Sequence, residues 1–353
     1  LFSLFNKKLG TVHVRFSSGV VVDKEFDDLK LKTQQLAFEI FRKVGTGMPI
    51  TPSALLSLIL LDEPTGALTW RQIMARAADV RAYCLHMEIP LVGSLSDDDW
   101  ESTLKVAMDM FLNNKKVELI KREKLNQVFY SIHEESRVNL LYHKNMILHH
   151  FLVPGVMNAT WFNIFNGTIK TPAELKRFLL IKRKELKYEF YLPNTSEVLE
   201  EGLKVVEYAL NRKLDNIDDI LELPMDDLYQ VAAKVRPFST ALSYIYEAYY
   251  IAAITVNYLK DEKFNEDKFL QVSSELFEME KDHGRVVKYP ESYTVPKMKA
   301  TIDYLENLGV IEKSEDGNIH VLEPEKVGYL IEKFARDVND QVSINLKFSY
   351  ENN

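Results

Sequence analysis

Histidine is the side chain best suited to move protons near neutral pH, and eight occur in this chain of 353 residues. His149 and His150 are adjacent, so on a helix they point about 100° apart and cannot clamp one metal ion together. His143 lies two turns before His150 on roughly the same face, but no carboxylate or cysteine supplies a third ligand at a helical interval. The spacing predicts hydrogen-bonding histidines and no metal site. Cys84 shares an apolar face with Ile73, Ala77 and Val80, the setting of a core thiol rather than a nucleophile. As the single cysteine it also excludes a disulfide scaffold and a multi-cysteine zinc site. Glu134 and Glu135 stand at a helix start, where acidic side chains complement the helix dipole. The chain has no glycine-rich phosphate loop, G-x-S-x-G elbow or H-E-x-x-H pair. Its own residues therefore point to no catalytic centre and no cofactor.

The surface signal is stronger. No Asp, Glu, Lys or Arg occurs from Asn145 to Ile169, and Lys170, Lys176, Arg177, Lys182, Arg183, Lys184 and Lys187 follow at once. Pro154-Gly155, two histidines and four asparagines make the uncharged part unlike a membrane span. It reads either as a pair of core helices or as a surface that dips into a bilayer interface. On the second reading Lys176, Arg177, Lys182, Arg183 and Lys184 contact anionic headgroups. Ala241–Leu259 is also apolar, but Glu247 and five tyrosines mark it as a buried helix rather than a span.

The elements that would position these groups are mostly helical. Only 13 Gly and 12 Pro interrupt the chain, and 46% of residues are apolar against 27% charged, the proportions of a folded body. A net charge of −8 argues against nucleic acid as a partner. Phe26 to Val44 carries helical spacing closed by Gly45-Thr46-Gly47, and Thr51-Pro52, Thr69 and Thr171-Pro172 read as helix starts. Further helices are predicted over 134–153, 171–187, 196–210, 237–259, 262–280 and 324–338. Two helix–hairpin units resemble winged helices: Leu104–Leu112 with strands Val117–Ile120 and Val128–Ile132, and Ile302–Leu308 with an Asp316-Gly317 turn. A weaker third is expected at 203–213. Gly10–Phe16 alternates as a half-buried strand does. A lone strand cannot satisfy its edges, so its partners are expected upstream of residue 1, in a longer protein, or alternatively further along this chain.

Read in order, several stretches resemble the glycerol-3-phosphate and dihydroxyacetone-phosphate acyltransferases. Tyr142-His143-Lys144-Asn145 leading to His149-His150-Phe151 is similar to that family's Tyr-x-Arg/Lys-Asn…His-x-Phe segment. Lys182–Pro193 resembles its basic segment, and Val235-Arg236-Pro237-Phe238 its Arg-Pro-led helix. Glu291-Ser292-Tyr293-Thr294 followed by Lys299-Ala300 and Leu305…Gly309-Val310 resembles its Glu-Ser-Tyr-Ser…Asn-Ala…Leu-Gly-Val ending. The resemblance implies acyl transfer from acyl-CoA to the 1-hydroxyl of glycerol 3-phosphate, with a His-x-x-x-x-Asp base and a Glu-Gly-Thr-Arg phosphate anchor. Neither motif is present: Ser18, Leu91, Val138, Leu148, Pro154, Gly155, Lys288 and Glu325 stand five places after the histidines.

The resemblance therefore implies the C-terminal region of such an enzyme, carrying no catalytic residue of its own. Tyr142, Lys144, Asn145, His149, Phe151, Arg236, Pro237, Glu291, Ser292 and Tyr293 are then structural family residues. Acyl-CoA and glycerol 3-phosphate would be met through a domain upstream. The expected fold is mainly α with small β-hairpins (α+β). Residues 1–22 would be a terminal strand of a truncated α/β acyltransferase domain, 23–94 a helical connector and 95–353 a C-terminal helical domain. The expected location is membrane-associated: a bacterial inner membrane, or the mitochondrial outer membrane or endoplasmic reticulum of a eukaryote. The alternatives are a dihydroxyacetone-phosphate acyltransferase of the same family and a non-catalytic winged-helix-like adaptor.

Overall fold

A computed structural model describes residues 12–22, 28–63, 67–238, 240–286 and 289–350, with the side chains of 125, 289, 290 and 340–350 outside the description. Three helices form its interior, and each is apolar on every side, as a helix surrounded by other helices must be. α1 is Leu29–Gly47 and α2, the first interior helix, is Pro52–Asp62, buried from Ala54 onward. Thr51 caps α2 by accepting from the Ala54 amide at 3.3 Å, and Pro52 follows where a missing N–H costs nothing. β1 is Ala67–Thr69 and α3 is Trp70–His86, opened by a capping box in which Thr69 and Gln72 satisfy each other's backbone. Cys84 is fully buried on α3, and burial pushes its thiol up to about 12, so it is a core residue.

α4 (Gly93–Ser96) and α5 (Trp100–Asn113) lead into β2 (Val117–Arg122) and β3 (Gln127–Ile132). Asn126 turns between them in the left-handed region at φ +47°. The sheet order is β1-β3-β2, antiparallel throughout, with Leu68 opposite Tyr130 and Tyr130 opposite Leu119. The hairpin expected from sequence is present, and β1 joins it as a third strand that three residues were too few to announce.

α6 (Arg137–Ile147) and α7 (Leu152–Phe165) are separated by a 3-10 turn, Leu148–Phe151. One helix was expected over 134–153. Pro154 explains the break: its ring clashes with the carbonyl four residues back, at His150, so Pro154 fits only in the first turn of a new helix. α7 is the second interior helix. At Gly155 an added Cβ would meet Leu242 Cδ1 at 3.1 Å, so glycine lets Leu242 and the Phe238 carbonyl lie directly against it. The uncharged stretch is thus core, and among the described residues no helix is long and apolar enough to cross a membrane.

α8 (Pro172–Leu186), α9 (Thr195–Leu210) and α10 (Met225–Val235) pack around α7. After α9 the chain caps at Asn211 and enters a 3-10 turn at Ile217–Glu222; no strand follows, so the third helix–hairpin unit does not exist. α11 (Ser243–Tyr258) is the third interior helix, covered by α12 (Glu266–Asp282), α14 (Val295–Asn307) and α15 (Pro324–Tyr350), with the short α13 at Tyr289–Ser292. Between α14 and α15 lies the hairpin of β4 (Ile311–Lys313) and β5 (Ile319–Val321), turned by Gly317 at φ +81°.

Gly10 and Thr11 lie outside the described residues, and Val12–Phe16 pairs with no described strand. A strand is defined by its ladder. Here the Ser17 hydroxyl donates to the Lys43 carbonyl at 3.0 Å instead, holding the segment beside α1.

Candidate functional site

Residues from four distant stretches meet beside α11. Arg137, at the start of α6, donates through Nε to Glu291 Oε1 at 2.9 Å, and its Nη2 lies 2.6 Å from the same oxygen. Glu291 is 2% exposed, and among the described residues its Oε2 has no hydrogen-bond partner. The neighbouring Ser292 hydroxyl donates to Glu247 Oε2, both residues being buried. Lys144 is 2% exposed and places its ammonium 5.0 Å from the centre of the Tyr244 ring. Lys297 reaches the same ring at 4.8 Å and Glu189 Oε2 at 2.7 Å. Tyr244 donates its hydroxyl to Asn145 Oδ1 at 3.2 Å, and Asn145 brings the network to the surface. Burial, with Glu189 and Glu291 nearby, holds the Tyr244 phenol well above its ordinary range.

The charges here meet groups from distant parts of the chain. A buried ion needs such a partner because its lost hydration otherwise goes uncompensated. The ring of Tyr244 between two ammonium groups adds cation–π attraction on the same logic. Sequence reasoning singled out Lys144, Asn145, Glu291 and Ser292. It missed Arg137, Glu189, Tyr244 and Lys297 as their partners. Glu247, alone among the apolar residues of α11, was the visible signal that a buried polar network existed.

The other family residues lie elsewhere. Tyr293 donates to the Leu270 carbonyl at 2.8 Å. Phe151 stacks on Phe238 at 5.2 Å, with Tyr83 4.8 Å from Phe238, so this aromatic cluster joins the α6–α7 turn to the 3-10 turn Arg236–Phe238. Arg236 and Pro237 are half-buried beside it, and burial with the nearby Arg76 lowers the Arg236 pKa. Tyr142 points to solvent.

Of the five cations expected at a lipid surface, the structure removes Lys182. It is 1% exposed, with Nζ 2.7 Å from Asp337, 3.1 Å from Glu185 and 4.4 Å from the Tyr246 ring centre. Desolvation opposes its charge, but Asp337 and Glu185 outweigh this and raise its pKa well above the usual lysine value. Lys176 pairs with Asp218 at 2.8 Å, and Arg183 donates to the Pro193 carbonyl at 2.7 Å. Arg177 and Lys184 are exposed. Helical periodicity explains the division: one cation of the run falls on the buried stripe of α8 and the rest flank it.

A cleft of about 560 Å3 opens between the ends of α1 and α3, the 148–151 turn and α9. It is lined by His86, His149, His150, Glu201, Lys204 and Glu207, among others. His149 Nε2 meets the Gly45 carbonyl at 2.6 Å and His150 Nε2 the Met48 carbonyl at 2.9 Å, their rings 4.0 Å apart. A carbonyl only accepts, so each Nε2 carries the hydrogen. Burial, then the adjacent His149, lowers the His150 pKa to about 3. Glu207 accepts from Lys213 and from the Leu214 amide. The histidines here fasten α1 to the body, and no group of metal ligands gathers among the described residues.

The fold and its buried network define a mainly helical body with small antiparallel hairpins, whose polar residues bind one another. Residues 1–314 match the family model for the glycerol-3-phosphate acyltransferase C-terminal region, and the chain belongs to that family. A search of curated proteins gave no match. The matched stretch stops before β5 and α15, yet Asp337 of α15 neutralises Lys182 inside it.

Proposed function

We propose that this chain is the C-terminal portion of a membrane-associated glycerol-3-phosphate 1-O-acyltransferase and serves it as a scaffold. In the parent reaction the 1-hydroxyl attacks the thioester carbonyl of acyl-CoA. The ester bond forms, the carbon–sulfur bond breaks, the hydroxyl proton passes to a base, and CoA leaves as the thiol. The products are lysophosphatidate and CoA. The groups for that chemistry belong to the upstream acyltransferase domain, since neither the His-x-x-x-x-Asp base nor the Glu-Gly-Thr-Arg anchor is encoded here.

One observation carries the scaffold reading. Lys144, Glu291 and Ser292, the polar family residues deepest in the fold, are 2% exposed or less and engaged with side chains of other helices. A group that serves a substrate must reach it, and these reach only the interior. The test is incorporation of labelled glycerol 3-phosphate into lysophosphatidate by the purified chain with acyl-CoA. No turnover above the protein-free background is expected; turnover that survives further purification overturns the reading.

A further inference from the structure

Nineteen residues make up α1, and not one of them is buried. Of the large apolar side chains exposed among the described residues, eleven lie between Val12 and Val44 and sixteen in all the rest. Leu29, Leu36, Ile40 and Val44 recur at intervals of seven and four, so they form one line along the helix. Lys30 and Lys32 fall on opposite flanks of that line. The other side of α1 is the attached one. There Arg42 pairs with Glu197 at 2.5 Å, Phe41 stacks on Tyr191 at 5.1 Å, and His149 and His150 hold the last carbonyls. Val12, Val14, Phe16 and Val21 are exposed on the segment that Ser17 ties to α1.

Charge indicates the occupant of the outward face. α1 carries Lys30, Lys32, Arg42 and Lys43 against Glu39 alone; Arg42 meets Glu197 and Lys43 meets Glu39 at 3.2 Å, so Lys30 and Lys32 are the cations beside the outward line. An apolar line exposed at Leu29, Ile40 and Val44 and half-buried at Leu36, flanked by lysines on a helix of net positive charge, is the pattern that lies flat in an anionic bilayer interface. Lysine stems reach along the apolar boundary while the ammonium stays among headgroups.

We infer that α1, with residues 12–22 beside it, is the surface by which this chain lies on an anionic membrane. Leu29, Leu36, Ile40 and Val44 enter the acyl boundary, and Lys30 and Lys32 meet the phosphates. The inference rests on the membrane-associated reading above and moves the contact away from the cationic stretch around Lys182.

Flotation of the full chain with vesicles tests it, using phosphatidylcholine alone or mixed with phosphatidylglycerol. The wild type should float with the mixed vesicles and about tenfold less with the neutral ones, and Lys30→Glu with Lys32→Glu should remove that preference. Leu29→Asp with Ile40→Asp should abolish flotation while leaving the thermal midpoint in place, because neither side chain is buried. Flotation unchanged in the aspartate pair, or equal with both vesicles, overturns the inference. So does self-association of the wild type that the aspartate pair disperses, since a second copy would then cover the face. Acyl transfer by the same samples separates the readings: turnover overturns the scaffold role whatever the vesicles show. Lost flotation without turnover overturns only the assignment of α1.

Discussion

At the scale of single residues, the chain uses groups capable of chemistry as fasteners. His149 and His150 offered the best candidates for proton transfer, yet each holds a backbone carbonyl at the end of α1. The consequence is a dependence on pH. Burial holds the His150 pKa near 3 in the folded chain, against the ordinary 6.5. Folding therefore excludes a proton that the unfolded chain accepts below about pH 6.5. His150 gives its full stabilisation above that pH and loses it as the pH falls from there towards 3. The thermal midpoint of the wild type should drop more steeply between pH 7 and pH 5 than that of His150→Gln. Parallel profiles would show that His150 is not the group excluded. No local pattern announces this state, because the acceptors lie about a hundred residues away and the break that aims the two rings is set by Pro154.

At the scale of elements, local chemistry was legible and partnership was not. Thr51, Thr69 and Thr171 cap helices where their hydroxyls predicted, and Asp316-Gly317 turns the last hairpin. The interruption at Leu148–Phe151 was also written, four residues upstream of Pro154, though helical spacing on both sides concealed it. Strand status at Val12–Phe16 depended on a neighbour, and alternation alone cannot supply one. The cationic run misled for a similar reason: Lys182 turns inward towards Asp337, a residue 155 positions later. Elements also differ in what their removal should cost. None of residues 12–22 and 28–47 is buried, so in a deletion of 1–47 the loss of their few side-chain contacts should cost about 1–3 kcal/mol. α15 buries Val327, Leu330, Phe334 and Val338 against the interior, each worth about 1.5–3 kcal/mol. Ending the chain at Glu323 also strips Lys182 of Asp337. Thermal melts should show a cooperative transition for the first truncation and none for the second; the reverse order would contradict the assignment of the core.

At the scale of the whole molecule, ordered words in the sequence marked positions that fold together. Lys144-Asn145, Glu291-Ser292 and the basic segment ending near Glu189 converge on Tyr244, although up to 150 residues separate them. The resemblance located those words, and the structure supplied what spacing could not, namely Arg137 and Lys297 as their partners. A buried charge that loses its partner is left without hydration or compensation, which costs about 3–5 kcal/mol, whereas replacing both partners by apolar groups costs little. The most direct test of a network built for cohesion is therefore a cycle of Arg137→Met, Glu291→Leu and both together, read as the free energy of urea unfolding. Losses of about 3–5 kcal/mol are expected for each single variant, with recovery of most of that in the double, a coupling above about 2 kcal/mol. Single variants as stable as the wild type would contradict it, and would mean that this pair is held in place for something other than the fold.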